Sequence, residues 1–189
     1  MRALVKQALR GNKDAFVELI QQNTQDMYKV ARSILTNEED IADAIQETIL
    51  TCYEKLKTLQ QPKYFKTWLT RILINQCNDI VRREKREIPG DVFIYASDVD
   101  TQMGDSEFRQ MLSGLDEKYR LIVVLYYVRG LRVKDIAELL EMNEGTVKTR
   151  LARGREKLKE MYDLGKTKEH GNTEHYVLSR GEMEVHYGR

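Results

Sequence analysis

Apolar residues recur along this chain at spacings of three and four, and nowhere do they alternate with polar ones over a useful length. That period belongs to helices with one buried face, so the pattern predicts an all-α protein. In residues 3–35, Phe16, Leu19, Ile20, Met27, Val30, Ala31 and Ile34 form the core face of two helices. GNKD at 11–14 divides them, with Asp14 as the expected cap of the second. A helix from about Glu38 to Leu59 gathers Ile41, Ile45, Ile49, Cys52, Leu56 and Leu59 on one side. Pro62 breaks the chain. The next helix, from about Tyr64 to Arg86, shares Phe65, Trp68, Leu69, Ile72, Gln76 and Ile80 on one broad face.

Residues 87–106 lose the periodicity and hold Pro89, Gly90 and Gly104, so they read as a linker. Within it, Val92, Phe93, Ile94 and Tyr95 are apolar enough to dock on something. A second helical unit begins near Asp105 or Ser106, where Phe108, Met111 and Leu112 precede a break at Ser113-Gly114. The run LDEKYRLIVVLYYVRGL then gives an apolar helix ended by Gly130.

From Leu131 to Lys159 the pattern splits into a helix, a tight turn and a cation-rich helix. Val133, Ile136, Ala137 and Leu140 share one face, and Ala137 is small where two helices would cross. Asn143 is the expected cap of the second helix. Val147, Leu151, Gly154 and Leu158 make its buried stripe, while Thr146, Thr149, Arg150, Arg153 and Lys157 project away. This is the layout of a helix-turn-helix, whose second helix enters the DNA major groove. The plainer alternative is a solvated cationic helix end that complements the helix dipole.

The expected organisation is therefore two small helical domains, at 1–86 and 107–162, joined by the linker and followed by a polar tail at 163–189. Charge sharpens that division. The net charge is only +1, yet residues 1–86 carry 15 basic and 11 acidic side chains, and residues 107–162 carry 12 and 9. The linker holds five acids and no Lys or Arg. Two basic blocks around an acidic connector suggest two surfaces for a polyanion. The N-terminal MRALVKQALRGNKD turns polar too soon for a secretory signal, and no apolar run nears the ~20 residues of a membrane span. Cys52 and Cys77 are isolated and read as small buried hydrophobes, which fits a reducing, cytoplasmic setting.

Three constellations carry candidate chemistry. On the helix from Glu38, Asp40, Asp43, Glu47 and Glu54 form a narrow acidic stripe beside Leu50, with Gln46 nearby; residues 38–54 hold six acids and no Lys or Arg. A leucine among carboxylates suggests a protein contact, and an ordinary amphipathic helix with an acidic outside is the alternative. Asp40, Asp43 and Glu47 as a metal site would lack ligands from other elements. On the next helix Arg71, Asn75, Asn78 and Arg82 share a face rich in groups that bond base edges and phosphates. Tyr64 and Phe65 stand at its mouth, where an aromatic could stack on an unpaired base; Arg82, Arg83, Lys85 and Arg86 close it. His170, His175 and His186 are too widely spaced to suggest a metal site.

Taken in order, DIADAIQETIL, YFKTWLTRILINQCNDIVRR and LRVKDIAELLEMNEGTVKTRLARGREKL resemble the sigma-70 family, in particular the short extracytoplasmic-function (ECF) sigma factors that contain only regions 2 and 4. The resemblance covers about residues 10–162 and is strongest at GTVKTRL. It implies a fold of a region 2 bundle and a region 4 helix-turn-helix, with no cofactor and no catalytic chemistry. It implies that Asp40, Asp43, Gln46, Glu47 and Leu50 bind the clamp helices of the β′ subunit of core RNA polymerase. It implies that residues 63–86 recognise and melt the −10 element of promoter DNA, through Tyr64, Phe65, Lys66, Arg71, Asn75, Asn78, Arg82 and Arg83. It implies that Thr146, Lys148, Thr149, Arg150 and Arg153 read the −35 element. An anti-sigma factor is a further expected partner, and no small-molecule substrate is expected. Glu141 departs from the pattern, at a turn position where the family often has glycine.

Two other readings stay open at the level of the residues. One is a conventional helix-turn-helix regulator that grips a duplex operator as a symmetric dimer. The other is a nuclease using the carboxylates at 40–47.

Overall fold

In the computed structural model of the chain the described residues are 1–87 and 112–168. The docking segment at 92–95, the helical start near 105–111 and the three histidines lie outside them. Among the described residues the secondary structure is helical, with no strand.

Four helices form the first unit: α1 (Arg2–Leu9), α2 (Lys13–Arg32), α3 (Glu38–Lys55) and α4 (Phe65–Glu87). The cap of α2 is Asn12, not Asp14. Its backbone is extended, and its Oδ1 accepts from the Ala15 N–H at 3.0 Å, which leaves Asp14 in the first turn. Asn37 caps α3 in the same way, accepting from the Glu39 N–H at 2.9 Å. α3 ends four residues before Leu59, passing into a short 3-10 turn at Leu56–Thr58. A second such turn, Pro62–Tyr64, leads directly into α4. Leu19, Met27, Ile41, Leu69 and Leu73 are buried between α2, α3 and α4. Each such side chain contributes about 1.5–3 kcal/mol by leaving water.

The second unit holds α5 (Glu117–Tyr127), α6 (Val133–Leu139) and α7 (Glu144–Lys168). Gly130, with φ 65, turns the chain out of α5. α7 crosses α5 at Gly154, where a Cβ would come within 2.7 Å of Val123 Cγ2. The expected stripe is present: Val147, Leu151 and Gly154 are buried and Leu158 half-buried, while Ala137 is buried on α6. α7 continues past 162 into the stretch expected to be a polar tail, because DLGKTK holds no proline and extends the helix to Lys168.

The two units do not stand apart. α5 packs on α2 and α6 on α4, so the buried residues form one continuous core. Among the described residues every buried side-chain nitrogen or oxygen has a hydrogen-bond partner.

Candidate functional site

The acidic face is built by α3. Ile41, Ala44, Thr48 and Cys52 anchor the helix inward. The Thr48 hydroxyl is absorbed by the Ala44 carbonyl at 2.6 Å, and the Gln76 amide of α4 donates to Thr51 Oγ1 at 3.4 Å. That packing turns Asp43, Gln46 and Glu47 to solvent and leaves Asp40 half-buried. Glu38 is tied back to α2, where the Tyr28 hydroxyl donates to it at 3.0 Å and Arg32 Nε lies 4.0 Å away. Asp40, Asp43 and Glu47, by contrast, have no ion pair among the described residues. Leu50 is 58 % exposed beside them.

Sequence reasoning missed Tyr53. It is 55 % exposed, one turn beyond Leu50, and its ring meets Phe16 edge-on with centroids 5.2 Å apart. The spacing from Gln46 through Leu50 to Tyr53 could have revealed it. Among the described residues no three His, Cys, Asp or Glu side chains are grouped to hold a metal ion.

The first cationic face lies on α4. Arg71, Asn75, Asn78, Arg82 and Arg83 are exposed. Arg82 Nη1 rests 3.2 Å from Asp79 Oδ1, whereas Arg71 has no ion pair among the described residues. Tyr64 is 46 % exposed, with Lys63 Nζ 4.6 Å from its ring centroid. Phe65 is a correction. It is 1 % exposed and tilted against Trp68 at 6.2 Å, so no base can stack on it in this conformation. The cause is helical spacing: Phe65 shares the inward face with Leu69 and Leu73 and supports the helix mouth from beneath. Lys66 is half-buried.

The second cationic face lies on α7. The Gly145 N–H donates to Asn143 Oδ1 at 2.7 Å, so Asn143 caps the helix as expected. Thr146, Thr149, Arg150 and Arg153 line a surface concavity beside that cap. The Thr149 hydroxyl donates to the Gly145 carbonyl at 2.9 Å. Lys148 is exposed without an ion pair among the described residues. Arg150 is half-buried, its Nη1 3.7 Å from Met142 Sδ. The Arg153 guanidinium beside Tyr119 holds that phenol below its ordinary pKa. The turn before α7 runs through Glu141 at φ 53, a left-handed conformation that favours glycine.

Comparison with known proteins gives a consistent result. Residues 19–87 match the family description "Sigma-70 region 2", and residues 105–158 match "Sigma-70, region 4". The chain is 30% identical over 144 residues to the RNA polymerase sigma factor SigV of Bacillus subtilis (strain 168), covering 75% of this chain and 87% of SigV. It is 30% identical over 176 residues to the ECF RNA polymerase sigma-E factor of Haemophilus influenzae, covering 82% and 91%. Among solved structures it is similar to CnrH in complex with the cytosolic domain of CnrY, with a TM-score of 0.60, 26% identity, and coverage of 86% of this chain and 97% of CnrH.

Proposed function

The chain belongs to the sigma-70 family of RNA polymerase sigma factors, in its extracytoplasmic-function branch, and directs promoter-specific transcription initiation; from that premise we propose that it works as a non-catalytic adaptor with three separable faces. The polymerase face is α3, with Asp40, Asp43, Gln46, Glu47 and Leu50 joined by Tyr53. The observation that carries this reading is the exposed Leu50 beside carboxylates that form no ion pair among the described residues. Such a face suits a basic helical partner, here the β′ clamp helices: the carboxylates steer the encounter, and the leucine and tyrosine supply the buried anchors.

Region 2 would then open the −10 element through α4. Extruding a base costs a few kcal/mol, and stacking on an aromatic ring returns about 1–3 kcal/mol per base. Tyr64 is the aromatic within reach of solvent. Arg71, Asn75, Asn78, Arg82 and Arg83 offer amides and guanidinium groups for base edges and phosphates, with Lys66 at their edge. Region 4 would lay α7 in the major groove at the −35 element, with Thr146, Lys148, Thr149, Arg150 and Arg153 facing the DNA. The domain bounds that go with this are 1–86 and 107–162.

No small-molecule substrate and no catalytic step are needed. Among the described residues no helix is long and apolar enough to cross a membrane, and a cytoplasmic site of action follows from the partners proposed. An anti-sigma factor is the remaining expected partner; what supports it is that the similar CnrH was solved bound to the cytosolic domain of another protein, CnrY.

Two variants separate the faces. Asp43→Ala combined with Leu50→Ala should weaken core polymerase binding by about ten- to a hundredfold, as loss of interface anchors does, with helicity intact. Arg153→Ala should leave that binding unchanged and reduce transcription from promoters that depend on the −35 element. Loss of helicity in the first, or equal activity of the second at every promoter, would remove the corresponding assignment.

A further inference from the structure

The first helix takes no part in the three faces, and it lies outside residues 19–87, which match region 2. In α1 Val5 and Ala8 are buried, and Leu4 and Leu9 are half-buried. The helix packs on α2 and on the Pro62–Tyr64 turn. Its end is fixed as well: the Gly11 N–H donates to the Ala8 carbonyl at 2.9 Å, and the Asn12 N–H to the Gln7 carbonyl at 3.1 Å. The helix cannot roll without giving up apolar burial, so its apolar side chains set the direction of its polar ones.

Arg2, Lys6 and the capping residue Arg10 are all exposed. At four-residue spacing they fall within about 80° of one another around the helix, with ~6 Å of rise between successive cations. Residues 1–13 contain no acid, and none of the three cations has an ion pair among the described residues. Folding alone does not favour such a stripe. Like charges at i and i+4 repel. Arg2 stands in a first turn that holds no acid, where a cation opposes the helix dipole. Only Lys6 and Arg10, toward the C-terminal end, gain from that dipole. A solvated face is served as well by mixed charge, whereas a row of unneutralised cations suits a polyanion with closely spaced charges.

The place of the stripe narrows the choice of polyanion. The Pro62–Tyr64 turn on which α1 rests presents exposed Lys63 and Tyr64, with Lys63 Nζ 4.6 Å from the Tyr64 ring centroid. Tyr64 is the aromatic assigned above to an extruded −10 base. A strand with one base on Tyr64 carries its next phosphates away from that ring, and α1 and α4 both adjoin the turn. The cations of α4 line one way out, and those of α1 line the other.

We propose that α1 is a fourth face: Arg2, Lys6 and Arg10 hold the phosphate backbone of the promoter strand whose −10 base stacks on Tyr64, and so prolong the cationic track of α4 across the turn. The proposal rests on the three-face reading above. Because the contact is to phosphates, it adds affinity and salt dependence and reads no bases.

The test uses holoenzyme assembled from core RNA polymerase and the full chain, on a duplex taken from a promoter that the wild-type holoenzyme transcribes. One variant carries Arg2→Gln, Lys6→Gln and Arg10→Gln together; a second keeps the charges, with Arg2→Lys, Lys6→Arg and Arg10→Lys. DNA affinity is followed across roughly 0.05–0.2 M salt, and core-polymerase affinity and helicity are measured separately. The glutamine set should flatten the slope of log affinity against log salt by about 2 to 3, at ~0.7–0.9 per lost cation, and weaken binding at ~0.1 M salt by about tenfold or more. The charge-keeping set should match the wild type, and both sets should bind core polymerase as the wild type does. For location, an iron–EDTA chelate tethered to Lys6→Cys should cut the promoter strand beside the −10 block, while the buried Cys52 and Cys77 stay unlabelled. An unchanged salt slope, or cutting that falls on polymerase alone, overturns the proposal. Weakened core binding by the glutamine set overturns it too, since α1 would then be a polymerase contact. If the glutamine set loses helicity, the cutting pattern decides the matter. A wild-type holoenzyme that starts no transcript defeats the sigma-factor reading and this proposal with it, whereas an unchanged slope in an active holoenzyme defeats this proposal alone.

Discussion

Replacing Glu141 with glycine should stabilise the protein, although it removes a whole side chain. Glu141 sits at φ 53 in the turn between α6 and α7, the one non-glycine residue with positive φ among the described residues. A Cβ in that conformation crowds the following carbonyl at a cost of about 1–2 kcal/mol. The turn is nevertheless held, because the Met142 N–H donates to the Ala137 carbonyl at 2.9 Å. Glycine removes the crowding but adds about 0.5–1 kcal/mol of backbone entropy to lose on folding. The net gain is ~0.5–1 kcal/mol, or about 1–4 °C in Tm for a chain of this size. Urea unfolding followed by circular dichroism measures it, with an unchanged m-value marking an unchanged folded state. Glu141→Ala keeps the Cβ and should gain nothing, while Glu141→Gln separates the lost charge in any DNA-binding comparison. A destabilised glycine variant, or an alanine variant that gains as much, would refute the strain argument.

Two further predictions follow from packing and burial. Gly154→Ala would place a Cβ 2.7 Å from Val123 Cγ2 and 3.4 Å from Tyr119 Cβ; overpacking of about 1–3 kcal/mol exceeds the ~1 kcal/mol gained in helix propensity, so the urea midpoint should fall, and adding Val123→Ala should restore much of it. The buried Cys52 and Cys77 thiols are both pushed up from 9.0 to about 12 by desolvation. Because the folded values lie above the unfolded ones, their contribution to stability is complete below about pH 9 and is lost as pH climbs toward 12. Urea midpoints should therefore decline across that window, and native protein should resist alkylation that proceeds in urea; a flat profile or rapid native alkylation would count against the burial.

The helices of both units were legible because their apolar residues repeat at helical spacing, and the Asn143 cap and the small Gly154 followed from the same reading. Local chemistry alone did not decide between neighbours. Asn12 and Asp14 are both good caps, and only the extended backbone at 12 chose Asn12. Phe65 carried two messages, an inward face by spacing and an aromatic mouth by position, and the core won because Leu69 and Leu73 lie beneath the same stripe. The buried Arg129, which donates to Asn23, Asp26, Lys66 and Thr70, was invisible for a different reason. Its partners are 59 to 106 residues away along the chain, so no local pattern marks a cation after an apolar helix as buried. The packing of the two units on each other was hidden in the same way: a linker in the sequence says that two units are joined, not that they share a core.

Initiation by purified core RNA polymerase tests the central claim most directly. Core enzyme and this chain are combined on a library of genomic DNA fragments, and the transcript starts are mapped. The account predicts new transcripts that share a start position downstream of two common sequence blocks, and their loss with Asp43→Ala combined with Leu50→Ala. Transcripts identical to those of core enzyme alone, or no binding to core enzyme at low salt, would contradict it.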